Sequence, residues 1–254
     1  MRILVTNDDG IDAPGLAIAE AIAATLSDDV TVVCPADEQS GAGHSLTLTR
    51  PLRVRRRGDR RYAIGGTPTD CVLMALGLLM KDGPPDLILS GVNRGANLGE
   101  DVTYSGTVSA AIEGSLAGVR SIALSQTYAR SGMGDTVPFV TAEAWGARAI
   151  APLIEAPWEK GTFWNVNFPA VAPEAVRGIR VCRQGFRDYG RLRIEPRTDP
   201  RGYDYFWIAL DSATIPPGGE TDLAAVRDGY VAVSPLHLDL THDPSLAALE
   251  ALYR

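Results

Sequence analysis

The chain opens with an apolar run, a helical segment and a second apolar run, and this order strongly limits its fold. Residues 3–6 (ILVT) are rich in branched side chains, as is typical of a buried strand, and they stop at a cluster of turn-forming residues. Apolar residues then recur at helical spacing from Pro14 to Leu26, and residues 30–34 (VTVVC) form a second strand-like run. Because parallel neighbours need a crossover connection, this order predicts a parallel sheet.

Strand-like and helical segments keep alternating along the chain, which predicts an α/β fold with a mostly parallel sheet. Further strands are expected at residues 46–48, 52–55, 62–64, 86–90, 121–125, 162–166, 179–182, 191–194, 205–210 and 230–234. Further helices are expected from Thr67 or Thr69 to Met80 and at residues 106–116, 140–154, 222–227 and 244–253, with a long loop at 91–104. The long polar loops follow strand ends, the edge at which open α/β sheets bind ligands.

The last third of the chain departs from this pattern. The polar, turn-rich residues 195–202 lie between strand-like runs and predict a β-hairpin arm that stands off the core. The amphipathic helix at 244–253 has little sheet left to pack against, so we expect it to pack on a partner subunit; packing on its own chain is the alternative. The expected single domain, residues 1–254, divides into a core at about 1–175 and 213–236, the arm at about 180–212 and the tail at about 237–254.

Composition argues against several classes of protein. The formal net charge of −7 disfavours general binding to DNA or RNA, which needs a basic face. The three cysteines, Cys34, Cys71 and Cys182, are far apart and form no CxxC pair, so neither a disulfide scaffold nor a cysteine zinc site is expected. No segment approaches the roughly 20 apolar residues of a membrane span, and the first strand begins without an apolar leader. We therefore expect a cytoplasmic protein with no membrane partner.

The first polar turn, residues 7–10 (NDDG), carries two adjacent carboxylates, Asp8 and Asp9, at the end of the first strand. Two carboxylates this close repel each other when both are ionised, and a nearby cation relieves the repulsion. Their hard oxygen atoms favour Mg²⁺, Mn²⁺ or Ca²⁺. For this motif alone, the alternative is an Asp-rich turn that caps the following helix.

Three further segments at the same predicted edge carry small or polar residues. Residues 39–45 (QSGAGHS) offer hydroxyls and His44, residues 90–99 (SGVNRGANLG) offer two asparagines among glycines, and residues 104–109 (YSGTVS) place hydroxyls and a glycine at a helix start. Glycines let a ligand approach the backbone, and a helix N-terminus attracts anions. Each segment also has an ordinary interpretation: a flexible loop with a structural histidine, a turn-rich loop, or a simple serine cap.

Together the four segments resemble the SurE family, the stationary-phase survival protein nucleotidases. The matching stretches are ILVTNDDGIDAPGL, VCPADEQSGAGHSLTL, GGTPTDCV, DLILSGVNRGANLGEDVTYSGTVSAAIEG and TDLAAVRDGYVAVSPLHLDLT, and they extend from residue 3 to residue 241. The order of NDDG, SGVNRGANLG and YSGTVSAA is highly specific. The resemblance implies a Rossmann-like, three-layer α/β/α core, a homodimer or homotetramer with exchanged C-terminal elements, and hydrolysis of nucleoside 5′-monophosphates, and often 3′-monophosphates, to nucleoside and phosphate.

The resemblance also implies one divalent metal ion per subunit, Mg²⁺ or Mn²⁺, with ligands Asp8, Asp9, Ser40 and Asn93. Two carboxylates, one hydroxyl and one amide carbonyl leave positions on an octahedral ion for water and a phosphate oxygen. Our hypothesis is therefore in-line attack on phosphorus by metal-activated water. One of the two aspartates orients that water, or both act only as ligands.

The phosphate oxygens, in the same hypothesis, are bound by Asn97 and by the helix start at Ser105, Gly106 and Thr107. His44 protonates the leaving ribose oxygen. Three other functions stay open: a haloacid-dehalogenase-like phosphatase that uses an aspartyl-phosphate, a nucleotide-binding stress sensor without significant turnover, and a broad acid phosphatase or exopolyphosphatase. The first is disfavoured because that class has its carboxylates at DxD spacing, whereas here they are adjacent.

Overall fold

A nine-stranded, mostly parallel sheet forms the centre of the structure, a computed structural model that describes residues 1–128, 139–187, 192–210 and 219–253. The strands are β1 (Ile3–Thr6), β2 (Val30–Pro35), β3 (Val54–Gly58), β4 (Arg61–Ile64), β5 (Leu87–Arg94), β6 (Arg120–Gln126), β7 (Thr162–Phe168), β8 (Ile179–Val181), β9 (Leu192–Thr198), β10 (Asp204–Leu210) and β11 (Val231–His237). The order in the main sheet is β3-β4-β2-β1-β5-β6-β7-β11-β8. Only the β3–β4 and β7–β11 pairs of the main sheet as described are antiparallel, so the predicted parallel core is confirmed.

Helices cover both faces of this sheet. They are α1 (Pro14–Ala24), α2 (Pro68–Met74), α3 (Gly106–Leu116), α4 (Val140–Glu155), α5 (Asp222–Arg227) and α6 (Asp243–Glu250). Ile3 and Val5 of β1 pack in one apolar cluster with α1 and α4, whereas Leu4 packs in a second cluster with α2 and α3. Alternate residues of a strand point to opposite faces, so this division confirms the three-layer α/β/α arrangement.

Local signals for two helix starts agree with the structure. Pro14 begins α1, where its missing N–H costs no hydrogen bond. Thr67 caps α2: its hydroxyl accepts a hydrogen bond from the Asp70 backbone N–H, and the Asp70 carboxylate accepts one from the Thr67 backbone N–H. After α2 the chain continues as a π-helical turn, Ala75–Leu79, close to the predicted end at Met80.

Three predicted boundaries are wrong. Residues 46–48 form no strand, since the Thr47 N–H donates to the Asp70 carboxylate and Leu48 is exposed, with no apolar surface to cover. Residues 91–94 belong to β5 instead of a loop, because a bulge lets Asn93 and Arg94 pair with β6, and residues 99–103 form a 3₁₀ helix. Residues 195–198 belong to β9 instead of a turn, since they pair with β10.

The two strands β9 and β10 form an antiparallel sheet of their own, in the segment for which a hairpin arm is predicted. Arg191 and residue 213, which bound predicted elements, lie outside the described residues. The exchange of the tail with a partner subunit, and the division of the chain into core, arm and tail, stay predictions. Over the described residues, no helix is long and apolar enough to cross a membrane.

Candidate metal and phosphate site

Asp8 lies at the carboxyl end of β1, buried beneath the first turn of α3. Its Oδ1 accepts a hydrogen bond from the Thr107 hydroxyl. A Cβ built on Gly106 would lie 2.8 Å from the Asp8 Cβ and 3.1 Å from its Oδ2, so only glycine lets α3 approach this closely. Burial raises the pKa of Asp8 to about 6; the hydrogen bond from Thr107 opposes this rise and the charge of Asp9 adds to it.

Asp9 contacts the end of the neighbouring strand β5. Its Oδ2 accepts a hydrogen bond from the Arg94 backbone N–H, 2.9 Å away. Burial raises the pKa of this carboxyl, the Arg94 N–H and the Arg94 charge lower it, and Glu38 raises it again. Both predicted carboxylates therefore sit in surroundings that disfavour their ionised forms, which is the electrostatic setting in which a bound cation is stabilised.

A bulge in β5 brings Asn93 to the same edge. The pairing register with β6 shifts between Ser90 and Asn93, next to Gly91. Gly91 has a φ of 133°, and a Cβ there would lie 2.2 Å from the Leu124 carbonyl oxygen, so this position requires glycine. The Asn93 Nδ2 donates to the Gly95 carbonyl at 3.0 Å, which leaves the amide oxygen as the atom that a cation would bind.

The loop after β2 reaches this edge through the backbone. The Gln39 N–H donates to the Asp8 carbonyl oxygen at 2.8 Å, one residue before the predicted ligand Ser40. The Ser40 side chain is exposed, and its Oγ donates to Glu38 Oε1 at 2.8 Å. The Arg94 guanidinium lies 3.6 Å from the same Glu38 oxygen. Glu38 therefore links the Ser40 loop to the end of β5. This residue was not predicted as part of the site.

His44 lies further along this loop and contacts α3. Its Nε2 is 2.9 Å from Oε2 of Glu113, a carboxylate whose side chain is only 14% exposed. A carboxylate in this position orients an imidazole ring and favours the tautomer with hydrogen on Nε2. Glu113 was not predicted, because the two residues are 69 positions apart and no local pattern joins them.

The Ser105 and Thr107 side chains at the start of α3 make two different contacts. The Ser105 Oγ accepts a hydrogen bond from the Val108 N–H at 3.1 Å, so the predicted cap is confirmed. The Thr107 hydroxyl is engaged by Asp8, and Thr107 is fully buried. At this end of the helix an anion can bind the backbone N–H groups of the first turn, which have no partner within the helix. The positive end of the helix dipole also attracts it.

Asn97 is held in a buried network of side-chain amides. Asn167 binds its backbone on both sides: the Asn97 N–H donates to Asn167 Oδ1 at 2.9 Å, and Asn167 Nδ2 donates to the Asn97 carbonyl at 3.1 Å. Asn165 donates to the same carbonyl at 2.7 Å, and the Asn97 side chain donates to Ser125 Oγ at 2.8 Å. Asn165 and Asn167 were not predicted, although two asparagines at alternate positions of the buried strand FWNVNF indicate a shared polar contact.

The next residues of this loop are held by hydrogen bonds to residues much later in the chain. The buried carboxylate of Asp222, at the start of α5, accepts hydrogen bonds from the Gly99 N–H at 2.8 Å and the Gly185 N–H at 2.7 Å. The Glu100 carboxylate accepts from the Arg187 N–H at 2.8 and 2.9 Å. The loop from Asn97 to Glu100 is therefore anchored at both ends, which preorganises the edge on which it lies.

The donor set suits a hard divalent cation. It consists of two carboxylates, an amide oxygen and a hydroxyl, all oxygen ligands, as Mg²⁺ and Mn²⁺ prefer. Asn7, directly before Asp8, has a buried Oδ1 that no described residue satisfies. Among the described residues, no three His, Cys, Asp or Glu side chains cluster as metal ligands. The residues therefore fit the implied metal ion.

The chain is similar to known proteins over its full length. Residues 3–191 match the family described as survival protein SurE. The chain is 63% identical over 254 residues to "5′-nucleotidase SurE" of Rhizorhabdus wittichii, covering all of both chains, and 53% identical over 249 residues to the protein of the same name from Erythrobacter litoralis, covering 98% of each. The crystal structure of the SurE protein from Aquifex aeolicus superposes with a TM-score of 0.85 at 38% identity and full coverage of both chains. The chain belongs to the SurE family.

Proposed function

We propose that this protein is a metal-dependent 5′-nucleotidase, which hydrolyses nucleoside 5′-monophosphates to nucleoside and phosphate. The observation that carries the proposal is the contact between Asp8 and the first turn of α3, where the Thr107 hydroxyl and Gly106 meet the carboxylate. A carboxylate that could bind a cation, beside a helix N-terminus that could bind an anion, supports hydrolysis of a phosphate ester. Relatives of the same length carry the name 5′-nucleotidase.

Asp8, Asp9, Asn93 and Ser40 would hold one Mg²⁺ or Mn²⁺ ion. When bound, such an ion lowers the pKa of a coordinated water and neutralises charge on the phosphoryl oxygens. Thr107 fixes the Asp8 carboxylate through its hydrogen bond, so we assign Thr107 chiefly to positioning that ligand.

Phosphate oxygens would accept hydrogen bonds from the backbone N–H groups of Gly106 and Thr107, and from the Asn97 segment that Asn167 fixes. Ser105 supports this arrangement as the helix cap. As water adds to phosphorus and the bond to the ribose oxygen breaks, the doubly protonated ring of His44 would donate its Nδ1 proton to that oxygen, while Nε2–H stays bound to Glu113. We also propose activity on nucleoside 3′-monophosphates, as the resemblance to the SurE family implies.

Phosphate release from AMP and GMP, measured with malachite green in the presence of Mn²⁺ or Mg²⁺, tests the proposal. We expect release that EDTA abolishes, and release that is lost in Asp8→Asn without loss of the fold by circular dichroism. Asp12→Asn is the matched control, because Asp12 lies in the same stretch of chain but its exposed carboxylate pairs with Arg57. Absence of phosphate release with every nucleotide and metal would favour a nucleotide sensor instead. A trapped phosphoenzyme would favour the aspartyl-phosphate route.

Assembly and location are proposed separately. We propose a homodimer or homotetramer in which the tail packs on a partner; Leu246, Leu249 and Leu252 of the tail are exposed in the single chain. Light scattering on a chain ending at His242 tests this, and an unchanged mass would exclude the tail as the sole assembly element. A cytoplasmic location is part of the same proposal and can be tested by cell fractionation.

A further inference from the structure

Seven of the chain's arginines lie within residues 50–61, a density that contrasts with the net charge of −7. Four of these arginines make ion pairs: Arg56 with Asp59, Arg57 with Asp12, Arg60 with Asp29 and Arg61 with Glu20. The other three, Arg50, Arg53 and Arg55, are exposed and pair with no carboxylate in the part of the chain that the structure describes. The segment therefore contains three cationic side chains that lack a counterion among the described residues.

Those three arginines line one cavity of about 300 Å³ at the β3–β4 edge of the sheet. The register sets Arg55 opposite the buried Ala63, and the Gly65 N–H donates to the Arg53 carbonyl at 2.9 Å, so the backbone beneath both arginines is fixed. Because Ala63 and Gly65 are small, space remains between the arginine side chains.

One carboxylate, Asp37, belongs to the same lining, but it lies beyond ion-pair distance of the three guanidinium groups. Three positive charges facing one cavity repel one another, and an oxyanion with more than one negative charge relieves that repulsion. Guanidinium groups bind phosphate oxygens in a bidentate manner that few other groups match. The cavity lies at the small end of the range for ligand sites, which suits a phosphate group better than a whole nucleotide.

Charge on an edge strand also prevents strand pairing between molecules. Arg56, which is exposed and pairs with Asp59, serves that purpose and is not part of the lining of this cavity. Edge protection needs charge, but it does not need the small residues Ala63 and Gly65 beneath Arg53 and Arg55.

We propose that Arg50, Arg53 and Arg55 form a phosphate-binding site separate from the Asp8–Asp9 centre. Ala63 belongs to the apolar cluster on the α1 face of the sheet, whereas α3 reaches Asp8 from the other face. The loop after β2 joins the two sites: a Cβ on Gly10 would lie 3.4 Å from the Asp37 backbone. The ligand is a phosphate group, either free orthophosphate or the phosphate of a nucleotide.

Titration calorimetry on the full-length protein in EDTA tests this site without metal and without turnover. The probes are orthophosphate and AMP, and the one that binds more tightly identifies the source of the phosphate group. We expect Arg53→Gln/Arg55→Gln to weaken binding of the preferred probe by 10-fold or more, with Arg56→Gln as the control on the same strand that leaves it unchanged. Arg50→Gln, a change outside the strand, is expected to weaken it as well, so a folding defect of the double variant cannot hide the answer.

The site is disproved if neither probe binds the wild-type protein, or if the double variant and Arg50→Gln bind as the wild type does. Equal weakening in Arg56→Gln would also disprove it, because general surface charge would then explain the binding. Phosphate bound at the Gly106–Thr107 helix start should be unaffected by these variants, so only the binding that they weaken is assigned to the arginine site.

Discussion

The Thr107 hydroxyl donates a hydrogen bond to the Asp8 carboxylate, and this bond joins the first turn of α3 to the end of β1. The two residues are 99 positions apart in the sequence, and both are buried. The helix that supplies the proposed phosphate-binding groups is therefore also the helix that fixes a proposed metal ligand. Changes to this helix start should affect the metal and the phosphate to different degrees, depending on which group is removed.

Thr107→Val tests the positioning role, because valine has nearly the same shape but cannot donate. We expect affinity for Mn²⁺ to fall by roughly 10-fold or more, as is common when a group that supports a metal ligand is removed. Thr107→Ser keeps the hydroxyl and should retain most of the affinity. Calorimetric titration with Mn²⁺ measures both. If Thr107→Val instead raises KM for AMP while Mn²⁺ affinity is unchanged, the hydroxyl serves the phosphate and not Asp8.

The raised pKa of Asp8 predicts a pH-dependent stability of the metal-free protein. The pKa is 3.8 ordinarily and about 6 in the fold, so the folded state binds the proton more tightly than the unfolded state. This contribution to stability is fully present below about pH 4 and is lost as the pH rises through about 6, a change of about 3 kcal/mol at most. Asp8→Asn has no such titration.

Urea unfolding in EDTA at pH 4.5 and pH 7 measures this difference. We expect Asp8→Asn to gain stability relative to the wild type as the pH rises, while carboxylates that do not interact with Asp8 cancel in the comparison. Mn²⁺ at pH 7 should stabilise the wild type and have little effect on the variant. A wild-type-to-variant difference that does not change with pH would mean that Asp8 is not protonated in the metal-free fold.

Gly106→Ala should disrupt the site through steric overlap alone. The added methyl group would meet Asp8 Cβ at 2.8 Å and Pro68 Cγ at 3.0 Å, so α3 must move away from β1. We expect a loss of stability of about 1–3 kcal/mol and a strong loss of phosphate release. Gly77→Ala is the control, since a methyl group there meets nothing within 4 Å. Thermal unfolding and the malachite-green assay measure both variants, and wild-type activity in Gly106→Ala would rule out the close approach.

Much of the fold follows from local sequence patterns. Branched apolar runs predicted the central strands, and the caps at Thr67 and Ser105 follow from hydroxyl residues that precede helical spacing. The edge where the polar loops meet also follows, because parallel strands all end on the same side. Errors arose where tertiary contacts override local preference, as for residues 46–48, whose backbone is bound by Asp70.

The side-chain network of the site could not be predicted in the same way. Asn167 binds the Asn97 backbone across 70 residues of sequence, and Glu113 contacts His44 across 69. Which residues meet depends on the order of strands and on the β5 bulge, and neither leaves a local pattern. The predicted roles of Ser40, Asn93 and Asn97 as ligands stay predictions that metal and phosphate titrations can test.

Asn167→Ala tests whether the Asn97 clamp organises the phosphate site. The change removes a donor and an acceptor from the buried Asn97 backbone, at a cost of about 1–3 kcal/mol. We expect KM for AMP to rise by 10-fold or more while Mn²⁺ affinity changes little. Ser115→Ala also removes a buried hydrogen bond, to the Thr162 carbonyl, and should leave KM unchanged. Equal changes in KM for both variants would show that lost stability, and not the clamp, is responsible.

His44 and Glu113 can be tested as a proton donor and its positioning residue through the leaving group. Release of a ribose alkoxide needs a proton, whereas p-nitrophenolate leaves readily without one, so a general acid matters only for the first. We expect His44→Gln to lower kcat for AMP by about 100-fold or more and to change kcat for p-nitrophenyl phosphate by less than about 5-fold. Glu113→Gln should show the same selectivity with a smaller loss, because the hydrogen bond to the ring remains but the charge is gone. Equal losses on both substrates would mean that His44 acts in binding or folding, and unchanged kcat on both would remove it from the mechanism.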